Sequence, residues 1–231
     1  MKIAVCCIIK NEKIHIERLL KNVKDIAEEI IIVDSFSTDD SIKILEKYNC
    51  KVYQRRFDNF SSQKNYCLSK VSNNCEWVLF LDADEILTNE LKKEILLIEN
   101  EKYDAYEIKR KFYWKNKWVK RGYYPKWFLR IGKKNLLKYD NQEVNEHMIC
   151  TSNNIGRLSE CFIDFNLKST SQWFEKHFMY AKMETDRYFN NQEYQKKRIF
   201  WNKFPLIIRP FLLLFYRLIL KMSILDGLYV I

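Results

Sequence analysis

The sequence predicts an α/β fold in which a mainly parallel sheet is covered by helices. Short apolar runs alternate with amphipathic stretches over the first hundred residues, and strands that alternate with helices usually pair in parallel. With 47% hydrophobic residues, only four glycines and only three prolines, the composition excludes a disordered or low-complexity chain. The 231 residues suffice for one domain with a substantial core and a short appendage.

The elements of the first half follow from the apolar pattern. Residues 3–9 form a nearly continuous apolar run, which is typical of a strand buried on both faces. Between Ile16 and Ala27 the apolar residues recur at helical spacing. The same pattern predicts strands at residues 30–33, 51–55 and 77–81, a short helix near residues 42–45 and a longer helix over residues 60–71.

The second half of the sequence has a different apolar pattern and most of the excess positive charge. Residues 103–138 read as extended, aromatic-rich β structure, and residues 171–194 return to helical spacing. The formal charge of +10 is concentrated here, because residues 102–138 contain thirteen Lys or Arg against two acidic residues. Such a patch favours phosphates on nucleic acid, on a membrane surface or on an anionic substrate, and charge alone does not choose among them.

Cysteine usage and the first residues predict a cytoplasmic protein. The seven cysteines are scattered and never spaced C-x-x-C, and with three histidines they argue against a zinc site. Unpaired thiols are typical of a reducing compartment. The first residues enter an apolar strand without the charged region and cleavage site of a signal peptide.

The last segment, residues 199–231, predicts attachment to a membrane surface without a span. It is very apolar, yet Arg209, Arg217 and Lys221 interrupt it, so it lacks the run of about 20 apolar residues that a span requires. These three cations fall within one third of a helical wheel, as expected of a helix in the membrane interface. The alternative is an ordinary core or dimer-interface helix.

Diphosphate binding through glycine loops is excluded in the α/β half, because all four glycines lie after residue 120. A P-loop and a dinucleotide fingerprint both need glycines where backbone approaches phosphate. Asp82 and Asp84, which flank one alanine at the end of a predicted strand, offer a different route. Two such carboxylates suit Mg²⁺ or Mn²⁺, whose coordination is completed by water and substrate phosphates.

Four segments carry a family resemblance: Lys10-Asn11-Glu12, IIIVDSFSTDDS at residues 30–41, FSSQKN at residues 60–65 and WVLFLDADE at residues 77–85. In this order they resemble the family 2 glycosyltransferases of GT-A fold, and especially the branch of lipopolysaccharide and lipooligosaccharide core glucosyltransferases. The resemblance is specific over the first ninety residues and approximate beyond them.

The resemblance implies roles for the donor-site residues. Asp34 is then a contact to uracil, Asp82 a contact to ribose or metal, and Asp84 the direct metal ligand. Lys64 is implied to meet a phosphate or the nucleotide. The Asn11-Glu12 pair is implied to border the donor site; the alternative for Asn11, Glu12 and Asp34 is capping and turn formation.

Weaker matches follow later in the chain. Arg130 resembles a phosphate contact, and Asp164 stands where related enzymes can supply a late metal ligand. Glu146 matches a glutamate placed as general base, with Glu143 and Glu160 as alternatives. The chemistry implied is inversion by a single displacement, in which a carboxylate removes the acceptor proton.

We therefore predict a transferase that moves a hexose, preferably glucose, from a UDP-sugar to a lipid-linked oligosaccharide such as the lipopolysaccharide core. Residues 1–100 are expected to bind the donor, residues 101–170 to face the acceptor, and residues 171–231 to form a helical tail on the inner face of the cell membrane. Alternatives are a polyprenyl-phosphate or capsular acceptor, and, from another class, a non-catalytic nucleic-acid-binding protein. The carboxylates around Asp84 argue against a nucleic-acid partner, because they repel a polyanion.

Overall fold

The computed structural model describes residues 1–99, 102–121, 124–140, 147–190, 203–205 and 207–227. The strands are β1 (Ile3–Ile9), β2 (Glu29–Asp34), β3 (Lys51–Gln54), β4 (Trp77–Phe80), β5 (Glu85–Leu87), β6 (Ala105–Trp114), β7 (Lys117–Val119), β8 (Trp127–Lys133), β9 (Leu137–Tyr139), β10 (Met148–Cys150) and β11 (Ile155–Phe165). The helices are α1 (Ile16–Val23), α2 (Ser41–Leu45), α3 (Phe60–Ser69), α4 (Asn89–Leu96), α5 (Thr170–Asn190) and α6 (Ile208–Phe215).

A nine-stranded sheet in the order β3-β2-β1-β4-β8-β6-β11-β5, with β7 added beside β6, forms the centre of the protein. The predicted α/β class with a helix-covered sheet is confirmed. Pairing is parallel from β3 to β4, whereas β8 runs antiparallel to both β4 and β6. The strands of the second half therefore extend the same sheet, and the sheet as a whole is mixed.

The core lies on both faces of the sheet, as the continuous apolar run of β1 predicts. Ile3 and Val5 face a cluster that includes the apolar residues of α1, while Ala4 and Cys6 face a second cluster around Cys67 of α3. All seven cysteines are free thiols. Helix α1 ends at Val23, earlier than the predicted end. A turn follows, in which the backbone N–H groups of residues 26 and 27 both donate to the carbonyl of Val23.

Strand β5 follows β4 directly in the chain but lies at the far edge of the sheet, antiparallel to β11. Residues 81–84 connect these two positions, and they begin at the carboxyl-terminal edge that β4 shares with the parallel strands β1 and β2. In open α/β sheets ligands bind in the crevice outside this edge. The topology thus places the Asp82–Asp84 segment in the position expected of a ligand site.

The described part of the tail contains α6, a wider helical turn at Tyr216–Leu220 and a short 3-10 turn at Ser223–Asp226. Apolar side chains of α6 remain largely exposed, as Phe211 (66%) and Phe215 (58%) illustrate. Within the ranges that the structure describes, no helix is long and apolar enough to cross a membrane.

Candidate active site

The loops that follow β1 and β2 are joined by two reciprocal hydrogen bonds at the carboxyl-terminal edge of the sheet. Asn11 has a positive φ of 55°, and its side-chain oxygen accepts the backbone N–H of Thr38 at 2.8 Å. In return, the backbone N–H of Asn11 donates to the hydroxyl of Ser37 at 2.8 Å. Asparagine tolerates this left-handed backbone better than most residues. The Asn11 prediction therefore falls on a residue that fixes the rim of the crevice.

Asp34 is fully buried at the end of β2. Its carboxylate accepts the backbone N–H of Ser37 at 3.0 Å and the side-chain amide of Gln54 at 3.2 Å. These partners belong to the turn after β2 and to the end of β3. Asp34 thus shapes the turn that borders the crevice, and its uracil contact stays a prediction.

Asp82 lies between two cations that come from different parts of the chain. Its Oδ1 is 3.4 Å from the ammonium of Lys64, and its Oδ2 is 3.3 Å from the guanidinium of Arg130. Burial acts to raise the pKa of Asp82, but Lys64 and then Arg130 bring that pKa far below its usual value. The side chain of Asp82 is 41% exposed, so it is open to a ligand and ionised.

Two buried residues, Glu85 and Arg130, contact Asp82. The carboxylate of Glu85, which is 2% exposed, accepts a hydrogen bond from Arg130 at 2.5 Å and another from the backbone N–H of Asp82 at 3.0 Å. Arg130, predicted as a phosphate contact, is itself only 8% exposed. Its guanidinium joins two carboxylates, and contact with a phosphate stays a prediction.

Asp84 and the segment after β11 meet at the same edge. The amide of Asn166 donates to Asp84 Oδ2 at 2.8 Å, and its oxygen accepts the backbone N–H of Lys168 at 2.8 Å, which fixes the amide orientation. In the described ranges, no side chain donates to the other carboxylate oxygen of Asp84. That oxygen is a suitable ligand for a divalent cation.

Asp164, predicted as a late metal ligand, forms an ion pair with Arg110 at 3.1 Å. Burial and, after it, the nearby charge of Asp84 raise the pKa of Asp164 to about 7, against the opposing effect of Arg110. No group of three His, Cys, Asp or Glu in the described parts of the chain is arranged to hold a metal ion. A cation would therefore depend on Asp84, with Asp82 beside it, and on oxygens from the substrate.

A second network, which the sequence did not reveal, ties the first loop to the end of β11. Glu12 accepts hydrogen bonds from the ammonium of Lys168 at 2.5 Å and from Nδ1 of His15 at 2.7 Å. Nε2 of His15 accepts the backbone N–H of Leu167 at 2.8 Å, so the ring proton lies on Nδ1. Leu167 and Lys168 lie about 150 residues after His15 and Glu12 in the sequence, and no local motif signals these two contacts.

Helix α5 contributes a further cation, Lys176, and an aromatic side chain, Trp173, that packs against the sheet. Burial acts to lower the pKa of Lys176, but Tyr180 and then the negative charges of Asp84 and Glu12 raise it above its usual value. Trp173 packs edge-on against Trp114 with ring centroids 5.1 Å apart, which anchors α5 to β6. The helical spacing predicted α5, but nothing in it indicated that α5 lies beside the acidic pair.

The predicted residues separate into three groups. Lys64, Asp82, Asp84, Arg130 and Asp164 lie together at the carboxyl-terminal edge, and Asn11, Glu12 and Asp34 form its rim. Glu146 and its alternative Glu143 lie outside the described residues. The other alternative, Glu160, lies within β11, where its backbone N–H donates to Glu94 of α4 at 2.9 Å.

Comparison with known proteins shows the family of this chain. The model of the family described as glycosyl transferase family 2 matches residues 4–160. An uncharacterised glycosyltransferase of Rickettsia conorii is 41% identical over 112 residues, which are 47% of this chain and 39% of that protein. The match thus spans about two fifths of the length of this curated relative.

Solved structures share the fold. Residues 1–349 of Staphylococcus aureus TarS, in complex with UDP, superpose with a TM-score of 0.57 at 19% identity, covering 91% of this chain and 77% of that chain. Glucosyl-3-phosphoglycerate synthase from Mycobacterium tuberculosis, in complex with Mn²⁺, UDP and glucosyl-3-phosphoglycerate, gives 0.53 at 14% identity, covering 74% of each chain.

Proposed function

Since this chain belongs to glycosyl transferase family 2, we propose that it transfers a hexose from a UDP-sugar to a lipid-linked oligosaccharide, with inversion at the anomeric carbon. The observation that carries the proposal is the position of Asp82 and Asp84 at the carboxyl-terminal edge of the sheet, between loops fixed by Asn11 and Asp34. The two structures of the same fold that hold UDP support a uridine nucleotide as donor.

The charge balance of the crevice supports a requirement for a divalent cation. Lys64, Arg110 and Arg130 each lie within 3.4 Å of a carboxylate oxygen. Lys176 faces the negative charges of Asp84 and Glu12, so these four positive charges are already compensated. A diphosphate that enters this crevice needs further positive charge. We propose that Asp84 holds Mg²⁺ or Mn²⁺ together with the donor phosphates, with Asp82 at the ribose or the cation and Asp164 as a further candidate ligand.

When bound, the cation neutralises the charge that develops on the departing UDP. The chain itself orients the donor, and a carboxylate takes the proton of the acceptor hydroxyl as its oxygen bonds to the anomeric carbon and the bond to UDP breaks. We propose Glu146 for this proton transfer, with Glu143 and Glu160 as alternatives.

The acceptor and the place of action follow from the tail and the basic segment. Exposed apolar side chains on α5 and α6, such as Phe178 (73%) and Phe211 (66%), favour contact with a membrane surface. We propose peripheral attachment to the inner face of the cell membrane and a lipopolysaccharide or lipooligosaccharide core as acceptor. A polyprenyl-phosphate or capsular acceptor is the alternative that fits the same features.

The donor is tested by incubating the protein with a panel of nucleotide-sugars and measuring release of free nucleoside diphosphate with and without Mn²⁺. UDP-sugars, and UDP-glucose first, should give a cation-dependent signal. Release from another nucleotide class with none from UDP-sugars would remove the uracil assignment of Asp34.

The site is tested with matched variants. Asp84→Ala should abolish transfer and cation-dependent binding of UDP, whereas Asp25→Ala, at an exposed position after α1, should behave as wild type. Glu146→Gln should bind UDP normally and lose about 10²–10⁴-fold in turnover, the range of general base catalysis. Near-normal turnover in this variant would transfer the role to Glu143 or Glu160, whose glutamine variants complete the set.

A further inference from the structure

A cavity lies away from the acidic pair, where the residues just after β7 and just before β8 meet the tail. Its volume is about 490 Å³, within the range of about 300–1,000 Å³ that is typical of ligand pockets. Four of its lining residues are basic: Lys120, Arg121, Lys126 and Lys221. None of the residues that we assign to sugar transfer lines it, so it is separate from the proposed donor site.

The two walls of this basic cleft are joined by an ion pair whose carboxylate is buried. Asp226, whose side chain is 3% exposed, accepts the backbone N–H of Arg121 at 2.6 Å and pairs with its guanidinium at 3.2 Å. The tail is therefore fixed against the β7–β8 connection rather than lying loosely beside it. Arg121 is neutralised by this contact, which leaves the other cations to define the charge of the cleft.

Those other cations have no acidic partner in the parts of the chain that the structure describes. The ammonium groups of Lys120, Lys126 and Lys221 instead lie over aromatic rings, at 4.9, 5.0 and 5.7 Å from the ring centroids. Partial burial and then the positive charge of Arg110 lower the pKa of Lys126. A concentration of like charge in a formed cleft is stabilised by an anion.

The rim of the basic cleft is apolar. Leu220 and Met222 line it and are 65% and 53% exposed. The exposed side chains of α6 precede them along the same tail. A ligand that fits both features carries a negative charge on a hydrocarbon body.

We propose that the basic cleft binds the phosphate of an anionic phospholipid, with Leu220 and Met222 in contact with its hydrocarbon. The proposal rests on the membrane attachment inferred above and adds a defined lipid site to it. Apolar insertion and electrostatic attraction to anionic lipid each strengthen attachment of an interfacial helix.

The test is sedimentation of the full chain with phosphatidylcholine vesicles that contain or lack phosphatidylglycerol. The double variant Lys120→Gln with Lys126→Gln should bind the anionic vesicles about 25-fold more weakly than wild type, since each lysine near an anionic surface contributes roughly fivefold. The control, Lys24→Gln with Lys47→Gln, removes the same charge at exposed positions of the first half and should change binding less than twofold.

Equal losses in the two double variants would indicate diffuse charge attraction and overturn the lipid site, as would no loss in the cleft variant. Displacement of the wild type by millimolar inorganic phosphate, at constant ionic strength, would assign the cleft to free phosphate and also overturn the proposal. Leu220→Gln, which keeps the charge, should weaken binding to both vesicle types. Binding of UDP, measured on every variant, separates failure of this site from failure of the proposed transferase function.

Discussion

Replacing Arg130 by methionine should destabilise the protein, because buried Glu85, whose pKa burial already raises to about 8, must then stay charged without a counter-charge or take up a proton. The two side chains are 9% and 3% exposed, and their charged atoms are 2.5 Å apart. Removing one partner of such a buried pair costs about 3–5 kcal/mol. A protein of this size loses about 2–4 °C in melting temperature for each kcal/mol, so the expected drop is about 6–20 °C.

The assay is thermal unfolding followed by circular dichroism, with Arg157→Met as matched control. Arg157 pairs with Glu107 at 2.9 Å, but the two side chains are 63% and 30% exposed, and an exposed pair contributes at most about 1 kcal/mol. The double variant Arg130→Met with Glu85→Leu should recover much of the lost stability, since no buried charge then stays unpaired. A single Arg130→Met variant as stable as Arg157→Met would refute this reasoning.

Three further predictions address the rim, the tail and the floor of the crevice. Burial acts to raise the pKa of Glu12, but its hydrogen bonds with His15 and Lys168 lower that pKa below its usual value of 4.5. The ionised Glu12 therefore stabilises the protein above pH 4.5, and this stabilisation is lost as pH falls through the lowered pKa. Glu12→Gln should therefore lower the free energy of unfolding in urea by about 1–3 kcal/mol at neutral pH and by much less near pH 3; equal losses at both would contradict it. Deleting the chain from Phe204 onward should make the protein fully releasable from membranes by salt, whereas the intact chain is released only in part; quantitative recovery of the intact chain in the soluble fraction at low salt would contradict attachment. Lys64→Met should keep the fold and weaken binding of UDP by about 10- to 100-fold, the usual effect of losing a group that orients a ligand-binding carboxylate, here Asp82; unchanged affinity in a calorimetric titration would remove Lys64 from the site.

The first half of the fold was predictable because its signals are local. Continuous apolar runs gave β1, β2 and β4, and the polar residues that end them gave the edge of the sheet where ligands bind. Because no glycine precedes residue 120, a glycine-based phosphate loop was excluded there, and Asp82 and Asp84 became the candidates for diphosphate binding. These inferences need no knowledge of which distant segments pack together.

The rest of the site depends on contacts between distant segments. Arg110 reaches Asp164 across 54 positions of the chain, and Lys168 reaches Glu12 across 156. Neither pair belongs to a motif with fixed spacing, so periodicity cannot find it. The Asp164 prediction illustrates the difference, because its carboxylate lies near Asp84 as expected, yet the ion pair with Arg110 could not be read from the sequence.

Backbone pairing between β5 and β11 fixes the position of Asp84 relative to the residues that follow Asp164. Strand β5 pairs with β11 so that Asp164 lies opposite Glu85, and the backbone N–H of residue 165 donates to the carbonyl of Asp84 at 3.0 Å. The position of Asn166 beside Asp84 is therefore set by backbone pairing and not by side-chain contacts alone. The family match ends at residue 160, before these residues begin. Residues 164–176, which build the wall beside Asp84, therefore lie outside the part of the chain that the family model matches, and their placement depends on the pairing of β5 with β11.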